Sequence, residues 1–183
     1  CFAVWTIFSI IGIQIKQDLG LSDTQFGLLA ATPILTGSLL RLFLGVWTEQ
    51  YGGRIVFSLV MLAAAAATWT LTYAHTYTQF LLAALAVGIA GGSFAVGVAY
   101  VSKWFPPEKQ GTALGIFGAG NIGSAVTKLL APLVMVASGW MMVAKLWAVG
   151  LAVTAVLFYL FSKEDPSLEE RRRSGVKPMS FAQ

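Results

Sequence analysis

Charge is scarce in this sequence: Asp, Glu, Lys and Arg make up 11% of its 183 residues, against roughly 25% in an ordinary soluble domain. There is one cysteine, Cys1, which excludes an intrachain disulfide framework and a cysteine-built metal site. There is one histidine, His75, so metal ligation and acid–base catalysis have little to build on. We therefore expect no enzyme activity, no metal and no cofactor. What replaces charge is apolar surface. Hydrophobic residues are 57% of the chain and the mean hydropathy is +0.75. A bilayer is the solvent in which long uncharged stretches are stable on every face.

Six apolar stretches are readable, at residues 1–15, 25–48, 55–73, 79–102, 111–137 and 142–162. All but the first reach the ~20 residues that cross a hydrocarbon core. Cys1 lies inside an apolar stretch with no initiator methionine and no basic segment ahead of it. That pattern is read as a span whose start is missing rather than a cleavable signal peptide. The expected fold is all-α and integral to the membrane, with six transmembrane helices over residues 1–162. Residues 163–183 are expected to form a linker. Its mixed charges, Glu164, Asp165 and residues 169–173, have no core to pack against and read as solvated.

The basic residues are distributed unevenly. Arg54, Lys103, Lys109, Lys163, Arg171, Arg172, Arg173 and Lys177 fall in one set of loops and the tail, and only Lys16 and Lys145 fall in the other. The positive-inside rule puts the first set in the cytoplasm and the chain in the inner (cytoplasmic) membrane as a multi-pass protein. This placement also accounts for the net charge of +4 without a nucleic-acid partner. The turns agree with the span count. Gly52 and Gly53 allow a tight reversal before Arg54. Pro106, Pro107 and Glu108 suit the start of a helix, and Ser22 is an N-cap candidate for the second span.

Two basic residues remain inside the spans, Arg41 in the second and Lys128 in the fifth, while all eight acids lie in loops, at span ends or in the tail. A charge in a span costs at least ~2.5–3.5 kcal/mol on insertion scales, so it faces a partner or a water-filled cavity. With no acid in these spans, an anion that comes and goes is a natural partner for Arg41. Two competing readings stay open: that Arg41 snorkels toward the cytoplasmic end, and that a further helix supplies an acid. Lys128 is read either as a titrating group or as a fixed charge that snorkels outward.

Glycines crowd the fourth span (Gly88, Gly91, Gly92, Gly97) and the fifth (Gly111, Gly115, Gly118, Gly120, Gly123). Gly88/Gly92, Gly111/Gly115 and Ala119/Gly123 are small-xxx-small pairs, and tight helix packing is expected for most of them. A sharper role is close approach of backbone or ligand near Asn121, a buried amide that donates to an oxyanion. Residues 118–123 also fit a loose G-x-G-x-x-G, but no strand precedes them, so a dinucleotide site is rejected. Phe94 is suited both to packing a flat ion and to ordinary core packing.

The turn from Gly45 through Val46, Trp47, Thr48, Glu49, Gln50, Tyr51, Gly52 and Gly53 to Arg54 resembles the loop between helices two and three of major facilitators. Where that family usually has Asp then Arg, this chain has Glu49 and Gln50. The run Gly118, Ala119, Gly120, Asn121, Ile122, Gly123, with Thr36 to Arg41, resembles the nitrate signature of helix five and the substrate arginine of helix two in nitrate/nitrite porters. Gly91 to Ala95 and Trp104 to Pro106 fit the same family. The resemblance extends to about Asp165 and is closest to the branch described as nitrate/proton symporters. It implies a twelve-helix fold of two halves, the second being absent here, and secondary transport of nitrate or nitrite with protons as a candidate co-substrate. By position it implies that Arg41 grips the anion, that Asn121, between Gly120 and Gly123, hydrogen-bonds the anion or the arginine, and that Phe94 stacks on the anion's plane. It also implies a conformational role for Gly45, Glu49, Gly52 and Arg54 at the cytoplasmic turn. Lys128 is the coupling candidate. Transport of another small anion and a non-transporting membrane assembly subunit are the alternatives.

Overall fold

The computed structural model describes residues 1–166, 168, 173 and 174, so the expectations for Glu169, Glu170, Arg171, Arg172 and Lys177 lie outside the described residues. Among the described residues there are helices and turns and no strand. The first apolar stretch folds as two pieces, α1 (Phe2–Trp5) and α2 (Phe8–Leu19). α2 stops at Gly20, whose φ of 61° makes a left-handed cap. A capping box opens α3 (Asp23–Tyr51): Ser22 Oγ accepts from the Gln25 N–H, and Gln25 Oε1 accepts from the Ser22 N–H. Ser22 is thus the N-cap that the sequence leads one to expect.

α4 (Gly53–Thr70) follows directly and is extended by a 3-10 turn at Leu71–Tyr73. α5 (Tyr77–Val87) and α6 (Ile89–Ser102) form one run that bends at Gly88. α7 (Pro107–Gly118) and α8 (Ile122–Ser138) form another, interrupted by a 3-10 turn at Ala119–Asn121. α9 (Trp140–Phe161) ends the bundle. Five runs are long and apolar enough to cross a membrane: Asp23–Tyr51, Gly53–Tyr73, Tyr77–Ser102, Pro107–Ser138 and Trp140–Phe161. They correspond to the second through sixth stretches. The divided run α1–α2 is not one of them.

The α1–α2 run is nevertheless central to the core. Ile7, Phe8, Ile11 and Ile15 are buried in one cluster with Ala64, Leu71, Val87, Val143 and Ala144. In a bilayer the alternative to these contacts is lipid, so the gain comes from close packing more than from leaving water. α3 and α6 approach through glycine. A Cβ on Gly37 would stand 2.9 Å from the Gly88 carbonyl oxygen and 3.0 Å from Gly91 Cα.

Two expectations are corrected. In the fifth span, a Cβ on Gly111, Gly115, Gly118 or Gly120 would meet nothing within 4 Å; only Gly123 is packed, 3.2 Å from Ala3 N. Its glycines therefore lie mostly on an open face, and that run has 11% of its apolar window buried. The tail also does not start free. Asp165 is fully buried, with Lys103 supplying its counter-charge, and Leu168 is nearly fully buried as well. Gly52, held at φ +93°, also leaves room for Glu164 and Leu168; a Cβ there would stand 2.9 Å from Leu168 Cδ2.

Candidate functional site

Arg41 is half-buried on α3, where it faces α6 and α1. Its Nε donates to the Gly91 carbonyl at 3.3 Å. Its guanidinium carbon lies 5.7 Å from the Trp5 ring and 5.9 Å from the Phe94 ring, within cation–π reach. Among the described residues the ion pairs are Lys16–Asp23, Lys103–Glu49 and Lys103–Asp165, and none involves Arg41. One carbonyl and two aromatic faces thus hold the cation. The remaining guanidinium nitrogens make no hydrogen bond among the described residues.

The rings form a connected set. Phe2 meets Trp5 edge-on at 5.7 Å and Phe94 at 5.8 Å, and Phe94 meets Phe117 of α7 at 5.6 Å. The Phe117 ring fits because Gly97 has no side chain; any Cβ there would overlap it. On the other side of the turn, Thr127 is fully buried. Its hydroxyl donates to the Ala3 carbonyl at 2.8 Å and accepts from Trp147 Nε1 at 2.8 Å. Through these contacts α1, α3, α6 and the α7–α8 run converge around Arg41.

Phe94 therefore lies beside Arg41. Gly123 packs on Ala3, at the start of α1. Asn121 and Gly120 belong to the 3-10 turn, and both are exposed. The expected burial of Asn121 is corrected: within this chain it is exposed, as are Ala119, Gly120 and Ile122 beside it. No hydrogen bond joins Asn121 to Arg41 among the described residues. Lys128 is likewise exposed, while its neighbour Thr127 is turned into the bundle. Trp5, Phe2 and Phe117 were not singled out from the sequence. No spacing links Trp5 to Arg41, because the contact depends on how α1 crosses α3 and α6.

A second cluster lies at the end of the bundle that holds Gly52. Lys103 Nζ is 2.9 Å from Glu49 Oε1 and 2.7 Å from Asp165 Oδ2. Arg54 Nε donates to the Tyr159 carbonyl at 3.0 Å, and its guanidinium lies 4.5 Å from the Tyr159 ring. A cation there complements the C-terminal dipole of α9. Gly45 is half-buried, with open space where a Cβ would be. Asp165→Asn is expected to lower stability by about 2–3 kcal/mol, since it removes a charged partner from a largely buried ammonium. Thermal unfolding of the detergent-solubilised full-length protein measures this. A shift no larger than that of Asp23→Asn, whose side chain is 96% exposed, would show the pair to be screened.

Comparison with known proteins agrees with this architecture. The chain is 39% identical over 170 residues to the "Probable nitrate/nitrite antiporter NarK1" of Thermus thermophilus, covering 86% of this chain and 38% of that protein. It is 36% identical over 160 residues to the "Nitrite extrusion protein" of Bacillus subtilis, covering 87% and 40%. It is 34% identical over 169 residues to the "Probable nitrate transporter NarT" of Staphylococcus carnosus, covering 92% and 44%. The chain thus spans less than half the length of these relatives. The family model described as Major Facilitator Superfamily matches residues 1–182. With five helices fit to cross a bilayer and a match along almost its whole length, the chain belongs to the Major Facilitator Superfamily.

Proposed function

We propose that this chain is the first six-helix half of a transporter that moves nitrate or nitrite across the cytoplasmic membrane by alternating access. The observation that carries the proposal is Arg41: a guanidinium within a span, held by a carbonyl and two rings, with no carboxylate paired to it among the described residues. A planar fork of donors matches the oxygens of a small planar oxyanion. The names of the three relatives supply the substrate class.

On this reading α1–α2 is the first crossing, residues 1–162 are the membrane half, and residues 163–183 lead to the second half. Gly52, Arg54, Lys103 and Lys163 lie at the cytoplasmic end. Arg41 binds two anion oxygens, Phe94 packs against the anion's plane, and Asn121 donates its amide from the turn between Gly120 and Gly123. A second arginine comes from the other half. The anion neutralises the repulsion between the two arginines and permits closure of one half on the other around a midplane site. Gly45, Gly52, Glu49 and Arg54 form the turn that moves with the cytoplasmic ends.

Proteoliposomes containing the full-length protein test the assignment. Saturable uptake of nitrate or nitrite that sulfate and formate fail to compete supports it; uptake of those anions alone would replace it with transport of another small anion. Lys128 is the candidate for proton coupling, as the basic residue besides Arg41 that lies well inside a span. A pH jump is expected to drive uptake in the wild type and not in Lys128→Ala. Equal responses would make Lys128 a fixed charge.

A further inference from the structure

We propose that Trp5 is a positioning residue for anion binding, orienting the Arg41 guanidinium from α1 without consuming the donors that meet the substrate. The proposal rests on the reading of Arg41 as the anion ligand. Three contacts locate the indole. Its ring lies 5.7 Å from the Arg41 guanidinium carbon. Its Nε1–H donates to the Pro33 carbonyl at 3.0 Å, on the same helix as Arg41 and about two turns before it. Its edge occupies the space that side chains on two glycines would take: Nε1 is 3.1 Å from a Cβ built on Gly37, and Cε2 is 2.6 Å from one built on Gly91. The hydrogen bond sets the rotation of the indole, and the two glycines set its depth.

This arrangement has a chemical consequence. A carboxylate would hold the arginine by occupying its N–H groups, and it would compete with an incoming anion for them. An aromatic face attracts the cation through its quadrupole and leaves those in-plane donors available. Phe94 lies 5.9 Å from the same guanidinium carbon. The Gly91 carbonyl takes only Nε–H. The fork is thus oriented before the anion arrives, which lowers the ordering cost of binding.

The test uses the full-length protein in proteoliposomes, with nitrate as the probe, and compares wild type, Trp5→Leu and Trp5→Phe. Trp5→Leu removes the ring and the donor; Trp5→Phe keeps a ring. Trp5→Leu is expected to raise the transport KM about tenfold with maximal rate within about twofold, as for loss of a partly desolvated cation–π contact. Trp5→Phe is expected to recover most of the affinity. A loss of maximal rate with KM unchanged, or equal KM in all three proteins, overturns the proposal.

A second readout does not depend on which anion is carried. The Arg41 Nε–H resonance, assigned by its disappearance in Arg41→Lys, is followed by NMR in nanodiscs. It is expected to move and to exchange faster with water in Trp5→Leu. An unmoved resonance overturns the positioning role whatever the substrate. A moved resonance in a protein that transports neither nitrate nor nitrite keeps the positioning of Arg41 and overturns the substrate assignment instead.

Discussion

Arg41→Lys in the full-length protein is expected to reduce nitrate uptake roughly 30- to 150-fold, corresponding to about 2–3 kcal/mol of lost charge-assisted hydrogen bonding. The substitution keeps the charge, so any effect reports geometry. Lysine's ammonium is a point charge on a flexible stem and offers no planar fork to two oxygens. It also has no counterpart to the Nε–H that reaches the Gly91 carbonyl, nor a flat group to lie between Trp5 and Phe94. Initial rates in proteoliposomes, with folding checked by elution profile and thermal unfolding, measure the outcome. Equal uptake by a folded variant would return Arg41 to the snorkelling reading, because a snorkelling cation needs only its charge.

Gly91→Ala is expected to damage both helix packing and anion affinity. The added Cβ would stand 2.6 Å from the Trp5 indole and 3.1 Å from Gly37 Cα, and the Gly37 contact is backbone that cannot swing aside. Relief requires either displacement of Trp5 from Arg41 or separation of α6 from α3. Overpacking of this kind costs about 1–3 kcal/mol of stability. The Gly91 carbonyl is also the Arg41 acceptor, so nitrate affinity should fall with stability. Gly111→Ala is the control, because a Cβ there meets nothing within 4 Å of this chain. On helix propensity alone it is neutral or stabilising by up to about 1 kcal/mol. Thermal unfolding and nitrate KM separate the two variants. Comparable damage at both positions would show that the open face of α7 is packed in the full protein.

Much of this was legible along the chain. Five of the six stretches recur as helices able to cross a bilayer, because apolar run length and the position of glycine and proline are local properties. Ser22 was recognisable as a cap because its hydroxyl and Gln25 act within one turn. Arg41 was recognisable because an intramembrane charge without an acid is visible by subtraction. Asn121 is exposed and not buried, as are Ala119, Gly120 and Ile122 around it, since hydropathy does not say which helices cover a turn. Asp165 was misjudged in the other direction. A charged residue after the last span looks solvated until Lys103, many residues earlier, is found beside it.

Composition and order of residues by themselves determined that the protein is helical, built for a bilayer, nearly free of charge within its spans, and left with a lone arginine in the second of them. These follow from the cost of exposing polar groups to lipid, which acts residue by residue. Only the tertiary structure decided what holds that arginine. Trp5, Gly37 and Gly91 lie on three different helices, and the aromatic surface around Arg41 exists because glycine lets α3 and α6 close to contact and leaves room for an indole from α1. Contacts across helices depend on crossing geometry and side-chain volume at a few positions, and no periodicity along the chain encodes them.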